Sequence, residues 1–374
     1  MEFGFTEEQL MIQDVARRIA QEKIAPSAEQ FDRSGEFPLD NIRLLGENGL
    51  MGIEVPAEYG GAGMDSVAYV LAMIEVAAAD AAHSTIMSVN NSLFCNGILT
   101  HGTEAQKQKY VKAIAEGREI GAFALTEPQS GSDATAMRCR AVKQDDGSYV
   151  VNGKKSWITS GPVAKYIVLF AMTDPGKGAR GITAFLIDTA REGFHRGKTE
   201  PKLGIRASAT CEIEFSDYRV QPDEVLGEDG QGFKIAMGVL DAGRIGIASQ
   251  AIGIARAAYE ASLEYVRERK AFGKPIITNS SLQMLLKQSP TTVDNLQKLF
   301  YLTDGEKYVL LNSEVGQGIL FAGYKHVAMQ VIASPDESAL ITTKPSEVMA
   351  AEKQKKDAAA GVVELKNTKQ DIQP

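Results

Sequence analysis

The chain has 374 residues, a formal net charge of −8 at neutral pH, 44% hydrophobic and 24% charged residues. That length allows two or three domains with sizeable cores, and the composition is that of a globular protein. The acidic balance excludes a broad electrostatic affinity for nucleic acid. Cys95, Cys139 and Cys211, and His83, His101, His195 and His326, are scattered without metal-ligand spacing, so neither a disulfide frame nor a metal site is expected. The start, Met1-Glu-Phe-Gly-Phe5, lacks the regions of a signal peptide, and no apolar run reads as membrane-spanning. A cytoplasmic protein without membrane contact is the expectation.

Residues 6–118 read as helices. Thr6-Glu-Glu-Gln9 is a capping box, and Leu10, Ile12, Val15 and Ile19 follow at helical spacing until Pro26 ends or kinks the helix. Pro38 to Leu50 is a second helix, stopped by Gly49 and Gly52. The glycine loop Glu58-Tyr-Gly-Gly-Ala-Gly63 lacks a preceding strand and is no dinucleotide fingerprint. Ser66 to Ala79 and Ser84 to His101 are long apolar helices.

Residues 119–220 switch to a period of two. Tyr149-Val-Val151, Tyr166 to Ala171, Ile182 to Ile187 and Cys211 to Phe215 are strands of a small β-barrel or orthogonal sheet. The organising stretch runs from Phe123 to Thr159: a strand, a Gly/Ser-rich loop, a charged spacer, and Asn152-Gly-Lys-Lys-Ser-Trp-Ile-Thr159. Thr126, Ser130 and Ser132 offer hydroxyls, Gly131 permits close backbone approach, and Trp157 is the single tryptophan. These groups suit a flat, polar-edged heterocycle. On those residues alone, a β-hairpin with a Gly/Ser-rich turn and a core tryptophan is the favoured reading. Gly147 to Lys154 has the wrong spacing for a phosphate loop.

Helix returns from Gly232 to Arg269, rich in Ala and Gly, with Asp241 and Arg244 on one face. Beyond it, Ser281 to Gln288 and Thr292 to Leu302 read as short helices, and Thr303-Asp-Gly-Glu306 caps another reaching Leu311. Gly318 to Ala333 reads as a hairpin turning at Gly323-Tyr-Lys, and Glu347 to Pro374 as a solvated helix or disordered tail.

Ala124-Leu-Thr-Glu-Pro-x-x-Gly-Ser-Asp133 followed by Gly153-Lys-Lys-x-Trp-Ile-Thr159 closely resembles the flavin signature of acyl-CoA dehydrogenases, most of all the short-chain, butyryl-type members. Leu203-Gly-Ile-Arg-x-Ser-x-Thr-Cys211, Leu226-Gly-Glu-x-Gly-Gln-Gly-Phe233 and Arg267-Glu-Arg-Lys-Ala-Phe-Gly-Lys-Pro275 extend the resemblance, which ends near Ile276. It implies FAD as cofactor, held by Phe123, Leu125, Thr126, Gly131, Ser132, Trp157, Ile158 and Thr159, with Arg269 reaching a neighbouring subunit's flavin pyrophosphate. It further implies an acyl-CoA substrate near Ser132, Leu240, Asp241 and Arg244. Electron-transfer flavoprotein is the implied partner and fatty acid metabolism the setting. Family members are homo-oligomers through helices not recognisable here. The butyryl-type catalytic glutamate sits in a Tyr-Glu-Gly-Thr segment that is not found. In another branch of the family the base falls at the position of Gly243.

Residues 277–345 more weakly resemble the end of a type IV secretion or conjugation ATPase, through Pro290-Thr-Thr-x-Asp-Asn-Leu296, Glu314-Val-Gly-x-Gly318 and Phe321-Ala-Gly-x-Lys-His-Val327. No Walker loop accompanies them. The expected class is α+β: a helical domain over 1–118, a β-barrel-like flavin domain over 119–230, and the start of a second helical domain over 231–276. A motor-ATPase-like mixed α/β fragment (277–345) and a charged tail (346–374) complete the chimeric reading. Three functions stay open: a short-chain acyl-CoA dehydrogenase, an inactive FAD-binding chimera, and a secretion-motor-related interaction protein.

Overall fold

The computed structural model describes residues 4–271, 273–278, 282–286, 290–314, 317–322 and 325–330. The turn at Gly323-Tyr324, the end of the expected hairpin beyond Gln330, Glu337, Glu347 and the charged tail lie outside the described residues. The chain divides into two compact units, 1–259 and 260–374.

In the first unit, helices fill the segment before residue 118. Thr6 caps α1 (Glu7–Ile19) with the reciprocal bonds of a capping box. Of the two outcomes expected at Pro26, an end or a kink, the helix does not end there. A π turn, Ala20–Ile24, carries the helix into α2 (Ala25–Ser34), with Pro26 in the first turn of α2. Proline removes one N–H and crowds the carbonyl four residues back, and the wider turn accommodates both. α3 (Leu39–Glu47) is followed by α4 (Ser66–Ala79) and α5 (Ala81–Ser88), whose N-caps are Asp65 and Asp80. A second π turn, Val89–Cys95, joins α5 to α6 (Asn96–His101), so this apolar helix begins three residues before the expected Ser84. α7 (Glu104–Gln106) and α8 (Lys112–Ala115) follow, linked by a third π turn.

Eight strands then form one sheet: β1 (Gly121–Ala124), β2 (Arg140–Lys143), β3 (Tyr149–Thr159), β4 (Tyr166–Met172), β5 (Ile182–Asp188), β6 (Phe194–Thr199), β7 (Thr210–Val220) and β8 (Val225–Leu226). The order is β6-β7-β3-β2-β4-β5-β8, with β1 parallel to β4. No pairing joins β6 to β8, so the expected barrel is an open sheet among the described residues. The apolar runs of β4 and β5 follow from burial on both faces. Val168, Phe170, Ile182 and Leu186 pack with Phe94, Ile98, Tyr110 and Ile114 of the helices. Ile167, Leu169, Phe185 and Ile187 face Tyr149, Val151, Phe215 and Tyr218 instead.

α9 (Gly232–Glu268) is the one described helix long and apolar enough, by length and composition, to cross a membrane, which corrects the sequence reading. Its buried face instead packs on protein through glycines. A Cβ on Gly246 would overlap the Tyr69 hydroxyl and come within 2.7 Å of Ser88 Oγ, and one on Gly253 would meet Ala77 Cβ at 2.7 Å. Such close approach is open to glycine alone.

The second unit contains short pairs β9 (Lys270–Ala271) and β10 (Lys274–Pro275), then β11 (Leu282–Leu286). α10 (Pro290–Phe300), α11 (Asp304–Asn312), β12 (Gln317–Ala322) and β13 (Lys325–Gln330) follow. The expected helix over Ser281 to Gln288 is thus a strand where described. Its β-compatible Leu282 to Leu286 pairs antiparallel with β12, and tertiary pairing overrides its helix propensity. The expected β12–β13 pairing and the Thr303 capping box are present. Val293, Leu302, Leu310 and Ile319 form this unit's small core.

Candidate active site

β1 ends at the first motif. Gly121 is obligatory there, since a Cβ would fall 2.6 Å from the Phe94 ring, and its N–H donates to Asn90 Oδ1 at 2.9 Å. Phe123 is half-buried with its ring 4.9 Å from that of Phe170. Leu125 is buried in the same core, and Thr126 is half-buried. The loop then turns: the backbones of Glu127 and Ser130 exchange two 3.0 Å hydrogen bonds. Gly131 and Ser132 stand exposed, with open space where a Gly131 Cβ would be. Ser130 does not offer its hydroxyl to a ligand, because it donates to Asp133 O at 2.7 Å inside the loop.

Trp157 is not a core tryptophan. It is 61% exposed, on a residue with φ 61°, in a β-bulge of β3. Between the pairs Lys155–Ile213 and Ile158–Cys211, two residues on β3, Ser156 and Trp157, oppose one on β7, Glu212. The extra residue turns the indole out while Lys155, Ser156 and Ile158 are buried. A bulky residue in the left-handed region is strained by about 1–3 kcal/mol, and such strain concentrates at functional sites. Ile158 is 1% exposed, so its side chain serves the core. Thr159 is half-buried beside Ser160, whose hydroxyl, like that of Ser208, is buried without a hydrogen-bond partner. Ser160 N donates to Ala209 O at 2.7 Å, which brings the second motif alongside the first.

Beneath the loop lies a group the sequence reading overlooked. Lys155 Nζ donates to Leu125 O at 3.0 Å and to Glu127 Oε1 at 2.7 Å. Glu127 also accepts from the backbone N–H of Arg138 at 2.6 Å and Cys139 at 3.0 Å. Burial pushes the Glu127 carboxyl up, but Lys155 and the two amides together hold it below the ordinary glutamate range. Burial pushes the neighbouring Cys139 thiol up to about 11, which keeps it neutral and inert. The one available signal was the second lysine of Gly153-Lys-Lys155, at a position where the bulge suspends strand alternation.

On α9, Asp241 and Arg244 pair at 3.2 Å with side chains 76% and 79% exposed, a geometry worth little to stability. Leu240, Gly243, Arg244 and Ile247 line a cavity of about 380 Å³, walled on the other side by Thr85, Ser88, Val89 and Leu93. Asp241 does not line it. Leu93, Leu240 and Phe123 pack against one core cluster, so the cavity wall and the end of β1 share support. Arg269 belongs to the second unit, where its backbone bonds to Tyr265 and Ile276, and it is not placed relative to this site.

An outward indole, open space at Gly131, half-buried threonines just after β1 and at the end of β3, and two orphaned hydroxyls fit a flavin: a face for the ring and donors for its polar edge. Comparison with known proteins agrees. Family models for the acyl-CoA dehydrogenase N-terminal, middle and C-terminal domains match residues 6–118, 122–218 and 230–303. The last reaches beyond Ile276, where the motifs stop. An acyl-CoA dehydrogenase of Bacillus subtilis is 45% identical over 79% of this chain and 78% of its own. The butyryl-CoA dehydrogenase of Megasphaera elsdenii superposes with a TM-score of 0.73 at 39% identity, covering 83% of this chain and 79% of that one. A chain from the structural study of the electron transferring flavoprotein of Acidaminococcus fermentans does so with a TM-score of 0.73 at 41% identity and the same coverage. The chain belongs to the acyl-CoA dehydrogenase family, FAD-dependent oxidoreductases.

Proposed function

We propose that this chain has the site of a short-chain acyl-CoA dehydrogenase, binding the thioester for removal of hydrogens at the α and β carbons, with no carboxylate for the α proton in the lining of its cavity. The observation that carries the reading is the cavity at Gly243. At about 380 Å³ it lies near the small end of the ~300–1,000 Å³ range of ligand sites, and Leu93, Val89 and Ile247 give it an apolar lining. FAD, when bound, supplies the acceptor for the β hydrogen as hydride. Phe123, Leu125, Thr126, Gly131, Ser132, Trp157, Ile158 and Thr159 form the proposed cradle, Ile158 and Leu125 through their backbones, with Arg269 completing it from a neighbouring subunit. Ser132, Leu240, Asp241 and Arg244 are the proposed contacts of the thioester and its CoA arm. An electron-transfer flavoprotein is the proposed acceptor, in the cytoplasm.

Anaerobic titration of the FAD-loaded protein with butyryl-CoA and octanoyl-CoA tests this reading. Tighter binding of the shorter thioester is expected, and equal or inverted affinity would reject it. In parallel, Trp157→Ala is expected to weaken FAD by a few-fold to about tenfold, since an aromatic stacking partner contributes about 0.5–1.5 kcal/mol beyond its area. Unchanged flavin affinity in that variant would remove the indole from the cradle.

A second reading concerns residues 277–345 alone. Its antiparallel β11-β12-β13 sheet with α10 and α11 fits the proposed kinship with the end of a secretion-motor ATPase, in an interaction role. Deleting residues 277–374 should then abolish recovery of a motor subunit by the tagged full chain. Equal recovery with and without them would dispose of it.

A further inference from the structure

Lys155 and Glu127 have side chains 0% and 2% exposed, 2.7 Å apart. A buried ion pair is poor evidence for stability, because apolar side chains of similar volume often serve as well. An apolar pair cannot make directional bonds, and directional bonds are what this pair provides. Lys155 grips Leu125 O, one residue before Thr126, and Glu127 grips the amides of Arg138 and Cys139 at the far end of the loop. Lys155 also begins the bulge that leaves Trp157 in the left-handed region, while Ser156 N donates to Thr126 O at 2.9 Å and Ser156 Oγ to Glu212 Oε1 at 3.1 Å. The loop and the bulge are therefore stitched together at one buried point.

We propose that the Lys155–Glu127 pair is a positioning device, holding the 125–139 loop and the β3 bulge in the register that turns the Trp157 indole outward beside Thr126. Neither residue is catalytic: both act through the groups they hold. The inference rests on the flavin reading above for its consequence, but its geometry can be tested without flavin. Without the pair, the bulge can relax into regular strand pairing, which moves Trp157 to the other face of the sheet.

The experiment compares wild type with Lys155→Met, Lys155→Arg and the double variant Lys155→Met/Glu127→Gln. The double variant leaves no unpaired buried charge, so it remains informative if Lys155→Met alone fails to fold. Trp157 is the only tryptophan, so its emission reports the bulge directly. Expected results for the folded double variant are a shifted Trp157 emission, faster amide exchange over 125–139 with unchanged exchange in β4 and β5, and FAD affinity lower by about tenfold or more. Lys155→Arg, which keeps the charge and the donors, should recover most of the affinity. A double variant with wild-type emission, loop exchange and FAD affinity would overturn the proposal. If the wild type itself takes up no FAD, the flavin reading fails, while emission and exchange still decide whether the pair positions the bulge.

Discussion

Replacing Gly243 with glutamate should raise anaerobic flavin bleaching by butyryl-CoA by about 10²–10⁴-fold, the usual contribution of a placed general base. The α proton of a thioester is weakly acidic, so the step needs a carboxylate within reach of the α carbon. Gly243 lines the cavity but offers no such group. A Cβ there crowds the end of the Leu93 side chain, at 2.9 Å from Cδ2, and lies in ordinary contact with Ser92 Oγ at 3.8 Å, and a flexible leucine can give way. Among the described acidic residues of the second unit, Glu306 already uses its carboxylate to cap α11, accepting from Thr303 N at 2.8 Å. Rapid bleaching by the unmodified chain, unimproved by Gly243→Glu, would show that a base is already present. Glu306 and Glu314 would then be the first residues to change.

The second large effect is on stability. Glu75→Gln should destabilise the first unit by about 3–5 kcal/mol, the penalty for breaking a buried ion pair from one side. Glu75 is 2% exposed as a side chain and joins three helices. Arg256 of α9 donates to it at 2.9 and 2.7 Å, Arg17 of α1 at 3.1 Å and Gln13 at 2.9 Å. Burial pushes the carboxyl up, but the two arginines together hold it below the ordinary value of 4.5. A depressed folded-state pKa gives stability that is complete above the unfolded value and lost as pH falls through the folded one. The wild type should therefore lose stability below about pH 4.5, and the variant should lack that part of the acid slope. Denaturant unfolding at pH 7 and pH 4 measures both. A variant as stable as wild type, with the same pH slope, would refute the role.

Much of the architecture was legible in the chain. Period 3.6 before residue 118, period 2 through Val220 and helix again from Gly232 follow from which faces must be apolar, a local property of the sequence. The caps at Thr6 and Thr303 were equally readable, because a capping box is closed within four residues. The motif residues around Thr126 and Trp157 could be chosen from the sequence, but not the direction in which they point. Local alternation cannot show a bulge, since the extra residue in β3 exists only relative to β7. The same limit hid the continuation of α1 past Pro26, where a π turn absorbs the missing hydrogen bond. It also hid the strand at Leu282 to Leu286, which exists only against β12.

The sequence by itself determined the family, the order of helical and β segments and the kind of group that could sit at each motif. Those features depend on residue types and short spacings. The tertiary structure alone decided that Lys155 and Glu127 meet in the interior and that Trp157 faces outward. It alone decided that Gly243 opens on a cavity while Asp241 beside it does not, and that Glu75 collects arginines from two other helices. Each of these joins residues from separate elements, and hydrogen bonds and steric exclusion act over a few ångströms of space, whatever the separation along the chain.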